Sequence, residues 1–283
     1  MYQKTTQSIT NKLETGLSGC SLELINDRVL RKHSPSIEYN SRLLMQAEKQ
    51  KVFSNRIYKN VDAPKVYDIQ SDYFDMEYIP GNTFSEFFST ASVNDVEFVV
   101  QTLFDYFDSL ISTSRMVDAT DKILKKLDSL KEKTFHKEYI EFLRKYVESN
   151  KIIVPHTFCH GDLTFSNIIF HKNRLFFIDF LDCYVDTFLS DLVKIKQDLD
   201  YFWALKTWNV HTHRLEQIYR FAWNELENRY SSFMYEPFDI LDVMNILRIE
   251  PYLTSQHQRV ILDRIIKSTK IYANFISSNG GPI

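Results

Sequence analysis

The chain has 283 residues, of which 44% are hydrophobic and 25% charged, with a net charge of −3. That is enough chain for one large domain or two lobes with a real core, and it excludes disordered and fibrous classes. The near-neutral balance argues against nucleic acid or an anionic membrane as partner, and no run of about eighteen apolar residues marks a membrane span. The N-terminal Met-Tyr-Gln-Lys-Thr-Thr-Gln lacks the apolar stretch of an export signal. The three cysteines, Cys20, Cys159 and Cys183, are an odd and sparse set. They speak against a disulfide framework and for a reducing, cytoplasmic setting, with Cys159 as a small buried core residue.

In chain order, Glu14-Thr15-Gly16-Leu17-Ser18-Gly19-Cys20 precedes two strands, 21–25 and 28–32, with a turn at Asn26-Asp27. A loop containing Gly16, Ser18 and Gly19 can bring backbone N–H groups close to anionic oxygens, although two glycines three apart also suit an ordinary turn. Arg31 and Lys32 adjoin and point to opposite faces. A two-residue turn would pair Leu24 with Val29 and Leu22 with Arg31, so Arg31 is the expected inward cation. One further turn residue would put Lys32 there instead. Helical spacing over Tyr39–Phe53 aligns Leu43, Leu44, Ala47 and Val52, and the helix carries Glu48. Two strands, 65–69 and 73–78, end in Met76-Glu77-Tyr78-Ile79-Pro80-Gly81, where proline and glycine break the strand.

The remainder reads as mostly helical. Segments 93–113, 119–130 and 135–147 repeat an apolar spacing, the first with Asn94 or Asp95 as cap, and later helices are expected near 192–199, 215–230, 238–249 and 259–275. Tyr201, Phe202, Trp203 and Trp208 fall between elements. They suit core packing or, with Asp198 and Asp200, one wall of a site for a cationic or sugar ligand.

One stretch carries chemistry. His160-Gly161-Asp162-Leu163-Thr164-Phe165-Ser166-Asn167 is followed by a hairpin, 167–170 and 174–178 around the polar turn His171-Lys172-Asn173, and then by Asp179. Asp162 can accept the proton of an attacking hydroxyl. Asn167 and Asp179 offer hard oxygen donors for magnesium on nucleotide phosphates. A cation on the second strand, Arg31 or Lys32, would pair with those phosphates.

The pattern His-Gly-Asp-Leu, four residues, Asn, then Ile-Asp-Phe resembles the aminoglycoside phosphotransferase and choline kinase family, relatives of the protein kinases. The likeness runs from about residue 13 to about residue 195. It implies an α+β, two-lobed protein-kinase-like fold, with a small antiparallel-sheet nucleotide lobe over 1–80 and a mostly helical catalytic lobe over 81–283. It implies ATP and Mg2+ as cofactors and a small-molecule hydroxyl as substrate. By the same resemblance Asp162 is the catalytic base, Asn167 and Asp179 the metal ligands, and His160 and Asp191 structural supports of the catalytic loop. Glu48 would pair with the strand cation, the Glu77 carbonyl and Ile79 amide would bind adenine, and Met76 would line the rear of its pocket. Protein kinases usually carry Arg where this chain has Gly161, and there is no Ala-Pro-Glu segment. A protein kinase or a catalytically silent nucleotide-binding protein are the alternatives.

Overall fold

The computed structural model describes residues 12–13, 19–207 and 213–278, so Gly16, Ser18 and Trp208 lie outside the described residues. The chain begins with β1 (Lys12–Leu13), β2 (Ser21–Asn26), β3 (Val29–His33), α1 (Asn40–Ser54), β4 (Val61–Asp62), β5 (Val66–Ile69), β6 (Tyr73–Glu77) and β7 (Asn82–Thr83). It continues through α2 (Phe84–Thr90), α3 (Val93–Ser112), β8 (Arg115–Asp118), α4 (Thr120–Lys131), α5 (Lys137–Ser149) and β9 (Ile153–His156). The hairpin strands β10 (Ile168–His171) and β11 (Arg174–Phe177) follow. The last helices are α6 (Phe188–Leu199), α7 (Trp203–Thr207), α8 (His213–Tyr230), α9 (Glu236–Leu247), α10 (Gln256–Ser268) and α11 (Lys270–Ser278). The class is α+β, and no helix among the described residues is long and apolar enough to cross a membrane.

Two compact units divide the chain. The first comprises residues 1–82 together with 168–182, so the β10–β11 hairpin groups with the N-terminal strands rather than with the helices that flank it in sequence. Two contacts explain this. Strand β11 runs parallel to β4, with Leu175 opposite Val61, and Phe53 at the end of α1 lies 5.0 Å from the Phe180 ring and 5.7 Å from Phe177.

The main sheet of this unit is antiparallel in the order β1-β2-β3-β6-β5. Its register corrects the sequence expectation. Asn26 pairs with Val29, Leu24 with Leu30, Glu23 with Arg31 and Leu22 with Lys32, with an irregularity between Leu24 and Asn26. The Asn26 side chain accepts the Arg28 N–H at 2.9 Å, which moves the turn one residue along to Asp27-Arg28. Moving the turn by one residue changes the pairing by two and would keep the faces. The extra residue Ile25 in the irregularity offsets the register by one, and because side chains alternate this exchanges the faces of Arg31 and Lys32. Leu22, Lys32 and Phe74 now share a face with Leu24, Leu30 and Met76. This is the face that α1 covers, through Leu43 and Ala47.

The second unit is helical apart from the β8–β9 pair. Helix α3 starts with a capping box between Ser92 and Asp95, so Ser92 is the cap, and Asp95 occupies the third helical position. The unit's aromatic core brings Phe84, Phe88 and Tyr219 around Phe165 at 4.8, 5.4 and 5.3 Å between rings. Phe202 is buried in the core, while Tyr201, though largely buried, lines a cavity together with Asp200, so the two readings of that aromatic group divide between them.

The structure also joins Cys159 to Cys183, against the expectation that no disulfide forms; Cys20 is a buried free thiol. Three cysteines at wide spacing gave no sign of it. The pairing comes from the chain folding back on itself, with the Thr157 N–H on the Asp186 carbonyl at 3.1 Å.

Candidate active site

The loop 160–167 is fastened from behind by helix α6. Asp191, fully buried, accepts the N–H groups of His160 at 2.6 Å and Gly161 at 2.9 Å. Two backbone donors on one carboxylate fix the start of the loop. Gly161 has φ +93°, a conformation that glycine adopts without a Cβ clash, which accounts for a glycine at this point. His160 then accepts the Asp162 N–H on Nδ1 at 3.2 Å. Further on, the Thr164 N–H bonds the Asp162 carbonyl at 2.7 Å and the Asn167 N–H bonds Thr164 at 3.0 Å, closing a tight helical turn over 165–167.

This folding puts Asn167 against Asp162. The Asn167 Nδ2 donates to the Asp162 carbonyl at 2.8 Å and to its Oδ2 at 3.1 Å. On the other carboxylate oxygen, Lys194 of α6 makes an ion pair at 2.9 Å. Burial alone would raise the Asp162 carboxyl, but the Lys194 ammonium and its hydrogen bond outweigh that and hold it below the ordinary aspartate range. Asp162 is therefore ionised at neutral pH. Asp198, one turn beyond Lys194, accepts the Phe165 N–H at 2.8 Å, and burial pushes its carboxyl up to about 6.

Lys194 and Asp198 were not picked out as members of this loop site from sequence. The signal is the spacing 191, 194, 198, which sets three side chains on one face of a helix. Asp191 was implied by the family resemblance, and the other two follow at i+3 and i+7 from it.

In the first unit, Lys32 is 4% exposed, and its Nζ lies 2.6 Å from the Asp179 carboxylate and 3.2 Å from the Gln46 amide oxygen. Asp179 sits in the left-handed region, φ +60°, which aspartate tolerates better than most residues. The expectation that Arg31 points inward is corrected. Arg31 pairs with Asp75 at 2.6 and 2.9 Å and lies 4.0 Å over the Tyr73 ring, on the opposite face of the sheet. Glu48 is corrected too. It is exposed on α1, and the helix residue that meets Lys32 is Gln46, two positions earlier and buried.

Met76 is buried in the cluster under α1, where the Gln50 amide reaches its sulfur at 3.5 Å. After it, the Glu77 N–H is held by Lys65 and the Tyr78 N–H by Arg28, each at 2.8 Å, and Ile79 is buried. Gly81 is required by close approach. A Cβ there would meet Ile169 Cγ2 at 2.4 Å and the Phe170 carbonyl at 2.7 Å. Gly19, with φ +75°, leads into β2.

Asn167 and Asp179 each offer an oxygen of the kind magnesium takes. Asn167 spends its amide N–H groups on Asp162, which leaves its carbonyl oxygen as the end for a cation, and Asp179 is a carboxylate.

The sequence pattern of the phosphotransferase enzyme family named for the aminoglycoside phosphotransferases matches residues 21–227. The chain belongs to this family. No curated protein sequence matches it. Among solved structures, the streptomycin–ATP complex of the aminoglycoside phosphotransferase APH(2")-IIa is 18% identical, with TM-score 0.59 over 86% of this chain and 85% of that one. The GDP complex of aminoglycoside 2'-phosphotransferase-IIIa is 10% identical, with TM-score 0.59 over 92% and 93%. A glucosamine kinase with glucosamine, ADP and phosphate is 9% identical, with TM-score 0.56 over 95% and 81%. At these identities the likeness speaks for the fold, the protein-kinase-like architecture that the loop motif implied.

Proposed function

We propose that this member of the phosphotransferase family is an ATP-dependent kinase that moves the γ-phosphate to a hydroxyl of a small polar molecule. The observation that carries the reading is the Asp162 carboxylate. It is ionised, gripped on one oxygen by Lys194 and on the other by Asn167, and mounted on a loop that Asp191 fastens. Such an acid can orient a hydroxyl and take its proton as the oxygen attacks phosphorus. Lys32 supplies the ammonium for the nucleotide phosphates, and Gly19, with Gly16 and Ser18 in the same stretch, supplies permissive backbone beside them. Met76, Glu77 and Ile79 form the adenine edge. Asn167 and Asp179 would hold Mg2+, which when bound neutralises charge on the phosphates.

The acceptor is a sugar or amino alcohol rather than a large polycation, since the chain is not strongly acidic. Aminoglycosides and glucosamine, named with two of the structural neighbours, are the first compounds to try. A catalytically silent protein is disfavoured because Asp162, Asn167, Asp179 and Lys32 are all present, and a protein kinase because Gly161 replaces the usual Arg.

The test is ADP release from Mg2+-ATP over a panel of glucosamine, other sugars, choline, ethanolamine, aminoglycosides and a protein mixture. Turnover with a small molecule that Asp162→Asn abolishes supports the reading. Phosphate only on protein, or no transfer with any acceptor, defeats it.

A further inference from the structure

Helix α6 touches the loop 160–167 at three places, and only one of them is the reacting carboxylate. Asp191 and Asp198 hold backbone N–H groups of His160, Gly161 and Phe165. Lys194, between them on the same face, holds the Asp162 side chain itself at 2.9 Å. Its own side chain is only 10% exposed, so the ammonium is committed to the loop rather than to solvent.

We propose that Lys194 is a positioning residue for phosphoryl transfer, locking the Asp162 carboxylate in the orientation that receives the acceptor's proton. The proposal rests on the kinase reading above. A carboxylate mounted only through Cβ can turn about its last torsion, and that torsion is soft. Lys194 on Oδ1 and the Asn167 amide on Oδ2 approach from the two ends of the carboxylate and remove that freedom. Each carboxylate oxygen has a second lone pair, so the clamp leaves room for the incoming hydroxyl. In the step itself the hydroxyl proton passes to Asp162, the acceptor oxygen bonds to the γ-phosphorus, and the bond to the β-phosphate oxygen breaks, its electron pair leaving on ADP. Lys194 gains and loses nothing; it sets the direction of the lone pair that takes the proton. Misplacement by about an ångström costs reactions of this kind on the order of a hundredfold.

A neighbouring lysine isolates the effect. Lys196, two positions on, faces the opposite way and pairs with Asp242. The role of Lys194 therefore belongs to one face of α6 and not to lysines on the helix in general.

The experiment compares wild type, Lys194→Met, Lys194→Arg and Asp162→Asn, alone and with Lys194→Met, using Mg2+-ATP and the panel acceptor that wild type turns over. The expected result for Lys194→Met is a fall in kcat of about a hundredfold, with KM for the acceptor and calorimetric ATP affinity within about threefold of wild type. Lys194→Arg should recover at least about a tenfold part of the loss, because it restores a cation at Oδ1. In the Asp162→Asn background the Met change should add little, because the carboxylate it orients is gone. Unchanged kcat in Lys194→Met, an Arg variant no better than Met, or full additivity with Asp162→Asn each overturn the proposal. Where Lys194→Met does not fold, Lys194→Gln takes its place in the same comparison. Absence of transfer by wild type defeats the kinase reading itself and is seen before any variant is made.

Discussion

Helix α6 presents a lysine–aspartate pair on each of two faces, and the two pairs differ in what surrounds them. On the front, Lys194 meets Asp162 at 2.9 Å, and Asp162 remains 28% exposed at the side chain. On the back, Lys196 meets Asp242 at 2.7 Å, and Asp242 is 3% exposed at the side chain. The back pair lies deeper, on the wall of a cavity that Asp200, Glu227, Asp239 and Arg264 also line. Lys196 lies 4.9 Å from the Tyr201 ring, 5.8 Å from Trp223 and 5.6 Å from Phe238, and the Tyr201 hydroxyl donates to Asp242 at 2.5 Å. Burial pulls the Lys196 ammonium down, but Asp242 beside it, with Asp200 and Asp239 nearby, holds it above its ordinary value. Burial together with Asp242 pushes the Tyr201 phenol well up, so it stays a donor at every ordinary pH. The same ion pair thus does two jobs on one helix. The front pair leaves the Asp162 carboxylate partly exposed, and the back pair lies deeper, between α6 and α9 at a cavity wall.

The comparison predicts opposite failures, and the largest is on the front. Asp162→Asn keeps the shape and removes the proton acceptor. We expect turnover to fall by about 10²–10⁴-fold, with ATP affinity retained and a smaller loss of stability from leaving Lys194 without its counter-charge. Steady-state rates on the panel acceptor with a parallel melting scan decide it. A variant that loses stability as much as rate would erase the distinction between the two faces.

On the back, Lys196→Met should do the reverse. Removing one partner of a buried pair leaves Asp242 without its counter-charge, at a cost of about 3–5 kcal/mol. Denaturant titration should show that loss, while kcat per folded molecule stays near wild type. A large fall in kcat with unchanged stability would assign Lys196 to the chemistry. Tyr201→Phe tests the same pair more gently. It removes one donor to Asp242 and leaves the ring against Lys196, so about 1–3 kcal/mol of stability is the expected loss.

This division shows what could be read from sequence. The loop around Asp162 was legible because the spacing of acids and amide around a hairpin has a chemical reason that survives without coordinates, and Asp191, which fastens it, came from the family resemblance. The fold class followed from it. The strand cation was not legible, because its face depends on one residue. The irregularity at Ile25 inserts one residue between the turn and the ladder, and Lys32 rather than Arg31 enters the core face. Glu48 failed for a related reason, since which helix residue meets Lys32 is fixed by how α1 lies on the sheet, and the residue is Gln46. Lys196 and Asp242 are 46 residues apart, and their pairing exists only once α6 and α9 pack. Ordinary surface lysines and aspartates look the same in one dimension.

The smallest effect concerns another buried acid in the helical unit, Glu250, just after α9. It accepts the Phe135 N–H at 2.9 Å and the Thr134 hydroxyl, and its carboxylate lies 3.2 Å from His136 Nδ1. The hydrogen bond to Glu250 raises the His136 imidazole above its reference value of 6.5, against the pull of burial, with Asp263 adding to it. A group raised on folding stabilises the fold fully below its unfolded pKa, and loses that contribution as pH climbs through the folded one. Glu250 is held low in turn, although burial opposes it, so its share is present above its own reference value of 4.5 and is lost in acid. The pair should therefore contribute most between these limits. The melting-point difference between wild type and His136→Gln should be about one or two degrees near about pH 5.5 and close to zero near about pH 8. Catalysis on the front of α6 should not follow that profile. A difference that grows with rising pH would mean that His136 is neutral in the fold and that Glu250 is held by its Phe135 and Thr134 donors alone.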